Sequence, residues 1–184
     1  MFRSARILAI VFAGFFYSTS DTVAQYSSQG TVLSQQRIDQ SGRGSMLLKS
    51  VRTYSGETRL FGDFFDRWGN QTKWDVQIGS SQVSGNHLVP RIAPLVNGGY
   101  VIAWRNTHLS ANGGIRYTVM TTHGIYVAQD YKANIRYSAR LEPTAAVGFS
   151  NGGFVIAWRD TTTGSNWSRS FTSIGTPTSG EQRY

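Results

Sequence analysis

After residue 25 the apolar positions come in short runs separated by glycine turns, and no stretch repeats with the 3.6-residue period of a helix. Ile92 to Val96 is a short apolar run, and Asn97-Gly98-Gly99 is a turn, because glycine accepts positive φ without steric cost. Tyr100 to Arg105 is aromatic and β-branched, apolar on both faces, the pattern of a central strand. A polar loop fills Asn106 to Gly114. Ile115 to Thr121 alternates like a half-exposed strand, His123-Gly124 turns the chain, and Ile125 to Tyr131 makes a fourth strand.

The same plan recurs. Residues 97–106 read NGGYVIAWRN and residues 151–160 read NGGFVIAWRD, an offset of 54 residues. One further step upstream, Gly44-Ser45-Met46-Leu47-Leu48-Lys49-Ser50 is a worn copy of Gly98 to Trp104, with Ser50 in the tryptophan position. Segments ending at Gly69, Gly124 and Gly175 mark the matching downstream turns. A period near 50 residues with four short strands per unit predicts an all-β chain of three tandem, four-stranded antiparallel, blade-like repeats: a partial β-propeller. The approximate units are 36–83, 84–138 and 139–184.

PRIAPLVNGGYVIAW, followed by a glycine-containing loop, an aromatic strand and a glycine turn, resembles tandem repeats of large bacterial secreted and adhesin-like proteins. Their units read roughly P-x-(I/V)-A-x-L-x-(D/N)-G-G-(F/Y)-V-(I/V)-A-W and are allied to FG-GAP and integrin-α-like propeller repeats. The resemblance covers most of residues 36–184 and implies a propeller-type fold with binding or adhesive roles. Members often carry acidic calcium loops. Here Asp160-Thr161-Thr162-Thr163-Gly164 keeps one acid and Asn106 to Gly114 keeps none, so calcium does not carry over.

Three blades do not close a ring, and an open array leaves sheet edges in water. Self-association is therefore expected, a dimer giving six blades first, with a larger polymer or a protected open array as alternatives. Tyr26-Ser27-Ser28-Gln29 echoes Gly79-Ser80-Ser81-Gln82 and is expected to add a strand to the last blade.

The N-terminus changes the picture of where the chain works. Arg3 and Arg6 precede the apolar run Ile7 to Phe16, and Thr22-Val23-Ala24 offers a cleavage site, the layout of a secretory signal over residues 1–24. The mature protein is expected to be secreted or periplasmic, to begin near Gln25 and to carry no transmembrane segment. Cysteine is absent, so disulfides and thiolate metal sites are excluded. The formal charge of the full chain is +8, and fifteen of its eighteen basic residues are arginine. Losing Arg3, Arg6 and Asp21 with the signal leaves +7. Arginine favours carboxylate, sulfate and phosphate partners, and export argues against nucleic acid.

No catalytic constellation stands out. The acids are scattered, with only Asp160 loosely in a repeated position, opposite Asn106. Asp66 to Trp74 brushes against the Asp-box of sialidases with the spacing wrong, which reads better as a hairpin turn. His87, His108 and His123 fall in predicted loops or turns and lack metal-site spacing; neither a metal nor a cofactor is expected. Trp104-Arg105 and Trp158-Arg159 recur at the end of the second strand, read as tryptophans packed between blades or as arginines on one propeller face. Candidate binding residues are Arg105, Arg159, Asn166, Trp167 and Arg169, a flat aromatic among polar donors. The expected function is non-enzymatic binding, adhesion or extracellular structure on a polar or anionic glycan. The alternative is a glycan-active hydrolase or lyase on the same fold.

Overall fold

The computed structural model describes residues 26–80, 85–107, 113–136 and 140–184. Among them every regular element is a strand. The first sheet holds β1 (Tyr26–Ser27), β2 (Gly30–Gln40), β3 (Gly44–Thr53), β4 (Thr58–Phe65) and β5 (Gln71–Ile78). The second holds β6 (His87–Pro94), β7 (Tyr100–Asn106), β8 (Gly114–Met120) and β9 (Tyr126–Lys132). The third holds β10 (Leu141–Gly148), β11 (Phe154–Asp160), β12 (Asn166–Phe171) and β13 (Gln182–Arg183). Each is an antiparallel meander in chain order, so the three four-stranded units of the sequence are present, with β1 as an extra edge strand.

The second sheet lies between the other two, which explains why β7 is apolar on both faces. Alternation sends Tyr100, Ile102 and Trp104 to one core, with Ile38, Met46, Leu48 and Phe64 of the first sheet. Val101 and Ala103 point the other way, into a core with Phe154, Ile156 and Trp158 of the third. β11 repeats the β7 sequence almost letter for letter, yet only its Phe154-Ile156-Trp158 face is fully buried, while Val155 and Ala157 are half-buried. Position in the array, not local sequence, sets that difference.

The junctions are built from glycine and acid. A Cβ on Gly124, in the β8–β9 turn, would lie 2.8 Å from the Phe64 ring of the first sheet. One on Gly175, after β12, would lie 2.9 Å from Ala128 of the second, where Tyr117 Oη also donates to the Gly175 carbonyl at 2.6 Å. Both glycines have positive φ, 67° and 87°, so conformation and close approach demand the same residue. Gly69, at the same place in the first sheet, meets nothing among the described residues.

Sequence alignment and structure differ in the first unit by one residue. Gly44, Gly99 and Gly153 are the equivalent glycines: a Cβ on each would run into the carbonyl of Phe65, Met120 and Phe171 respectively. Lys49, not Ser50, therefore occupies the place of Trp104 and Trp158. On the outer face of the first sheet Lys49 Nζ donates to Asp63 at 2.8 Å and to Asp75 at 2.5 Å. Burial opposes charge on both Lys49 and Asp75, but their pairing outweighs it, holding the lysine above and the aspartate below its ordinary pKa. Among the described residues, the outer face of the first sheet therefore carries a charged group where the other two sheets carry an indole.

Two further expectations are corrected. β1 pairs with β2, not with the third sheet. Its neighbour Ser28 donates to Asp75 Oδ2 through N and Oγ, at 3.0 and 2.6 Å, as Ser80 N donates to Asp130 at 2.9 Å. The N-terminal echo thus marks the segments entering the first and second sheets. His87 is not in a loop: it opens β6 opposite Asn106 and is fully buried. Pro90 disguised this strand, and a bulge between Leu88 and Arg91, with Val89 at φ 52°, accommodates the missing N–H.

Candidate functional site: an aromatic hollow on the third sheet

Trp158 and Trp167 are direct cross-strand partners on β11 and β12, and Arg183 of β13 stands opposite Trp167. All three project to the side of the third sheet that faces the second. Beyond the edge of the core they border a hollow of about 380 Å³. Trp158 is fully buried there and Trp167 half-buried, giving an indole floor that is reachable from solvent.

The rim comes from the β11–β12 turn. Gly164 N closes this turn on the Asp160 carbonyl at 2.8 Å, and Asp160 Oδ1 accepts from Thr162 N at 2.9 Å. This fixes Thr163 and Ser165 at the edge of the hollow. The opposite rim is Arg136, its guanidinium 4.6 Å over the Trp167 ring and 3.6 Å from Glu181. Arg183 is exposed and has no acidic partner among the described residues. The hollow thus combines indole surface and hydroxyls with the Arg136 and Arg183 guanidinium groups and the Asp160 and Glu181 carboxylates, a lining that offers both donors and acceptors to a polar ligand.

Glu181 belongs to a repeated set that sequence reasoning missed. It accepts from Ile135 N at 2.7 Å and from Arg136 N at 3.3 Å, on the segment leading into its own sheet. Asp75 and Asp130 do the same for Ser28 and Ser80. Asp75, Asp130 and Glu181 each lie nine residues after the turn-opening Asp66, Thr121 and Thr172, so their spacing was readable once the turns were aligned. Asp75 and Asp130 also share a left-handed backbone, φ 46° and 57°, which aspartate tolerates better than most residues. Glu181→Ala removes the acceptor shared by two exposed backbone amides and is expected to cost about 0.5–1.5 kcal/mol in urea unfolding. A change below a few tenths of a kcal/mol would show the clamp to be dispensable.

The five residues singled out from sequence do not share one surface. Trp167 lines the hollow. Arg169, on the same face, is consumed by structure: it donates to the carbonyls of Ser179 and Ala133 at 3.0 and 3.1 Å. Arg105 sits in the junction between second and third sheets, 3.4 Å from Glu142. Arg159 and its partner Asn166 lie on the opposite, outward face of the third sheet. The sequence register of Arg105 and Arg159 is equivalent; one is covered by the next sheet and the other is not. Arg136, Thr163, Ser165 and Arg183 complete the hollow and carried no motif.

Other candidates resolve into turns. Asp66 Oδ1 accepts from Trp68 N and Asn70 N, both at 2.9 Å, a hairpin turn like that of Thr121, whose Oγ1 accepts from Ile125 N at 3.2 Å. His123 lies in that second turn, and His108 falls outside the described residues, as does the segment 1–24. Among the described residues no three of His, Cys, Asp and Glu come together to hold a metal. Neither the protein-family models, nor the curated proteins, nor the solved structures contain a match to this chain.

Proposed function

We propose that this is a secreted, non-enzymatic β-repeat protein, its sheets the blades of a partial propeller, that binds an anionic glycan in the hollow of the third sheet. The observation that carries this reading is Trp167 between two guanidinium groups, Arg136 stacked on it and Arg183 opposite it, beneath a rim of hydroxyls. The part of the Trp167 indole left uncovered by Arg136 offers an apolar surface to a pyranose, and Arg183, an arginine without an acid partner among the described residues, takes the uronate or sulfate group. The secretory layout of residues 1–24 and the basic mature chain support an extracellular or periplasmic anionic polymer as the ligand. So does the resemblance to secreted and adhesin-like repeats.

Calorimetric titration of the mature chain with an oligogalacturonate tests this. Trp167→Ala and Arg183→Gln are each expected to weaken binding about tenfold or more, equivalent to about 1.4 kcal/mol. Arg37→Gln, on the first sheet beside Asp39, is expected to leave it unchanged. Affinity should fall as salt rises, since exposed charges are screened beyond about 8 Å at physiological ionic strength. Equal affinity for a neutral oligosaccharide would remove the anionic part of the reading.

One observation favours the hydrolase or lyase alternative: Asp160 and Glu181 line the same hollow. Both carboxylates, however, are engaged by backbone amides, Asp160 in its own turn and Glu181 on Ile135 and Arg136. Release of reducing ends from polygalacturonate, abolished by Asp160→Asn, would establish that alternative.

A further inference from the structure

We propose that two copies of this chain associate through the outward face of the third sheet, about a two-fold axis. The internal junctions state the rule. On β3, Met46 and Leu48 are at most 2 % exposed beneath the second sheet; on β7, Val101 and Ala103 are 0 % exposed beneath the third. Val155 and Ala157 of β11 hold the same register. Opposite Val155 stands Val147 of β10, 49 % exposed, where its equivalents Ala93 and Ile38 are buried.

This face is flat. Ser168 and Ser170 on β12 stand where β8 has Tyr117 and Val119, so no apolar side chain on it is larger than valine. Two such faces approach closely without interlocking pockets, in the manner of packed sheets.

The charges on it are self-complementary. Glu142 and Arg159 are cross-strand neighbours, both reaching solvent. At the junction inside the chain, Arg105, in the register of Arg159, already reaches across to Glu142. A two-fold axis brings Arg159 of each copy beside Glu142 of the other, whose Oε2 is left over from the Oε1 pair with Arg105, the condition for an isologous interface. A head-to-tail filament would instead require the opposite end of the array, which presents the Lys49–Asp63–Asp75 group where an aromatic would be needed. A closed pair follows. Trp158, Trp167 and Arg183 point away from the joined faces, so the pair displays two open hollows.

Sedimentation equilibrium of the mature chain at micromolar concentration tests the pairing. The expected mass is twice that of one chain. Ala157→Arg, in the middle of the flat face, is expected to give a monomer with unchanged circular dichroism. Arg159→Glu, an exposed change that leaves the core intact, is expected to raise the dissociation constant about tenfold, and the difference should shrink at high salt. A monomer in the unaltered chain, a mass that keeps growing beyond two, or a dimer indifferent to both substitutions would each overturn the proposal.

Discussion

Trp104→Ala is expected to lower the unfolding free energy by about 3–5 kcal/mol, the range for deleting a large aromatic from a packed core. The ring is 0 % exposed in the core shared by the first and second sheets. Its six-membered edge leaves no room at Gly79, where a Cβ would lie 2.8 Å away, and the His87 ring sits 5.1 Å from it on another side. With a β-strand on each side, the cavity cannot collapse without separating two sheets. Trp158 fills the equivalent place between second and third sheets, but its outer edge borders the hollow, so Trp158→Ala is expected to cost less. Urea unfolding followed by far-ultraviolet dichroism measures both. A cost below about 1 kcal/mol for Trp104→Ala would mean that the ring does not bind the sheets together.

Acid should destabilise the fold through His87. Its ring is fully buried, its Nε2 lies 3.0 Å from Arg59 Nη1, and an arginine there can only donate, so the imidazole is neutral. Burial above all, then the charges of Arg59 and Arg116, pushes its pKa from 6.5 down to about 3. Unfolding restores the ordinary value, so between pH 6.5 and about 3 the unfolded chain binds more protons and stability falls with pH. The expected loss is about 2 kcal/mol between pH 7 and pH 5 and roughly 4–5 kcal/mol by pH 3. Asp75 adds to the loss only at the acid end, because its depressed pKa keeps its contribution intact down to the ordinary carboxylate range. His87→Asn should flatten the slope between pH 7 and pH 5. An unaltered slope in that variant would assign the acid sensitivity elsewhere.

The alternation of apolar residues and the two near-identical ten-residue stretches made the strands and the three units legible, because in β7 and β11 the glycine turn and the apolar strand that follows it are contiguous in sequence. The first unit was misaligned by one residue because its central strand has lysine where the others have tryptophan. The compensation comes from Asp63 and Asp75, on strands 14 and 26 residues away, and such pairing leaves no local trace. β6 was shortened in the sequence reading because proline and a left-handed valine sit inside it. The site was harder still. Trp167 was visible as an aromatic among polar residues. Arg183 joins it only because a two-residue strand brings the end of the chain back beside β12. Arg105 and Arg159 looked alike because register is a property of sequence, whereas cover is a property of the array.

The chain has five tryptophans, Trp68, Trp74, Trp104, Trp158 and Trp167, so each indole N–H gives one resolvable proton–nitrogen signal. Trp68 and Trp74 are exposed on the first sheet, 71 % and 72 %, and Trp104 is buried in the far junction. Titrating the labelled mature chain with an oligogalacturonate while following these five signals tests the central claim, that the glycan site is the hollow of the third sheet. The Trp167 signal should move progressively, with a smaller response from Trp158 beneath it, while Trp68, Trp74 and Trp104 stay in place. Movement of Trp68 or Trp74 with a stationary Trp167 would contradict the account.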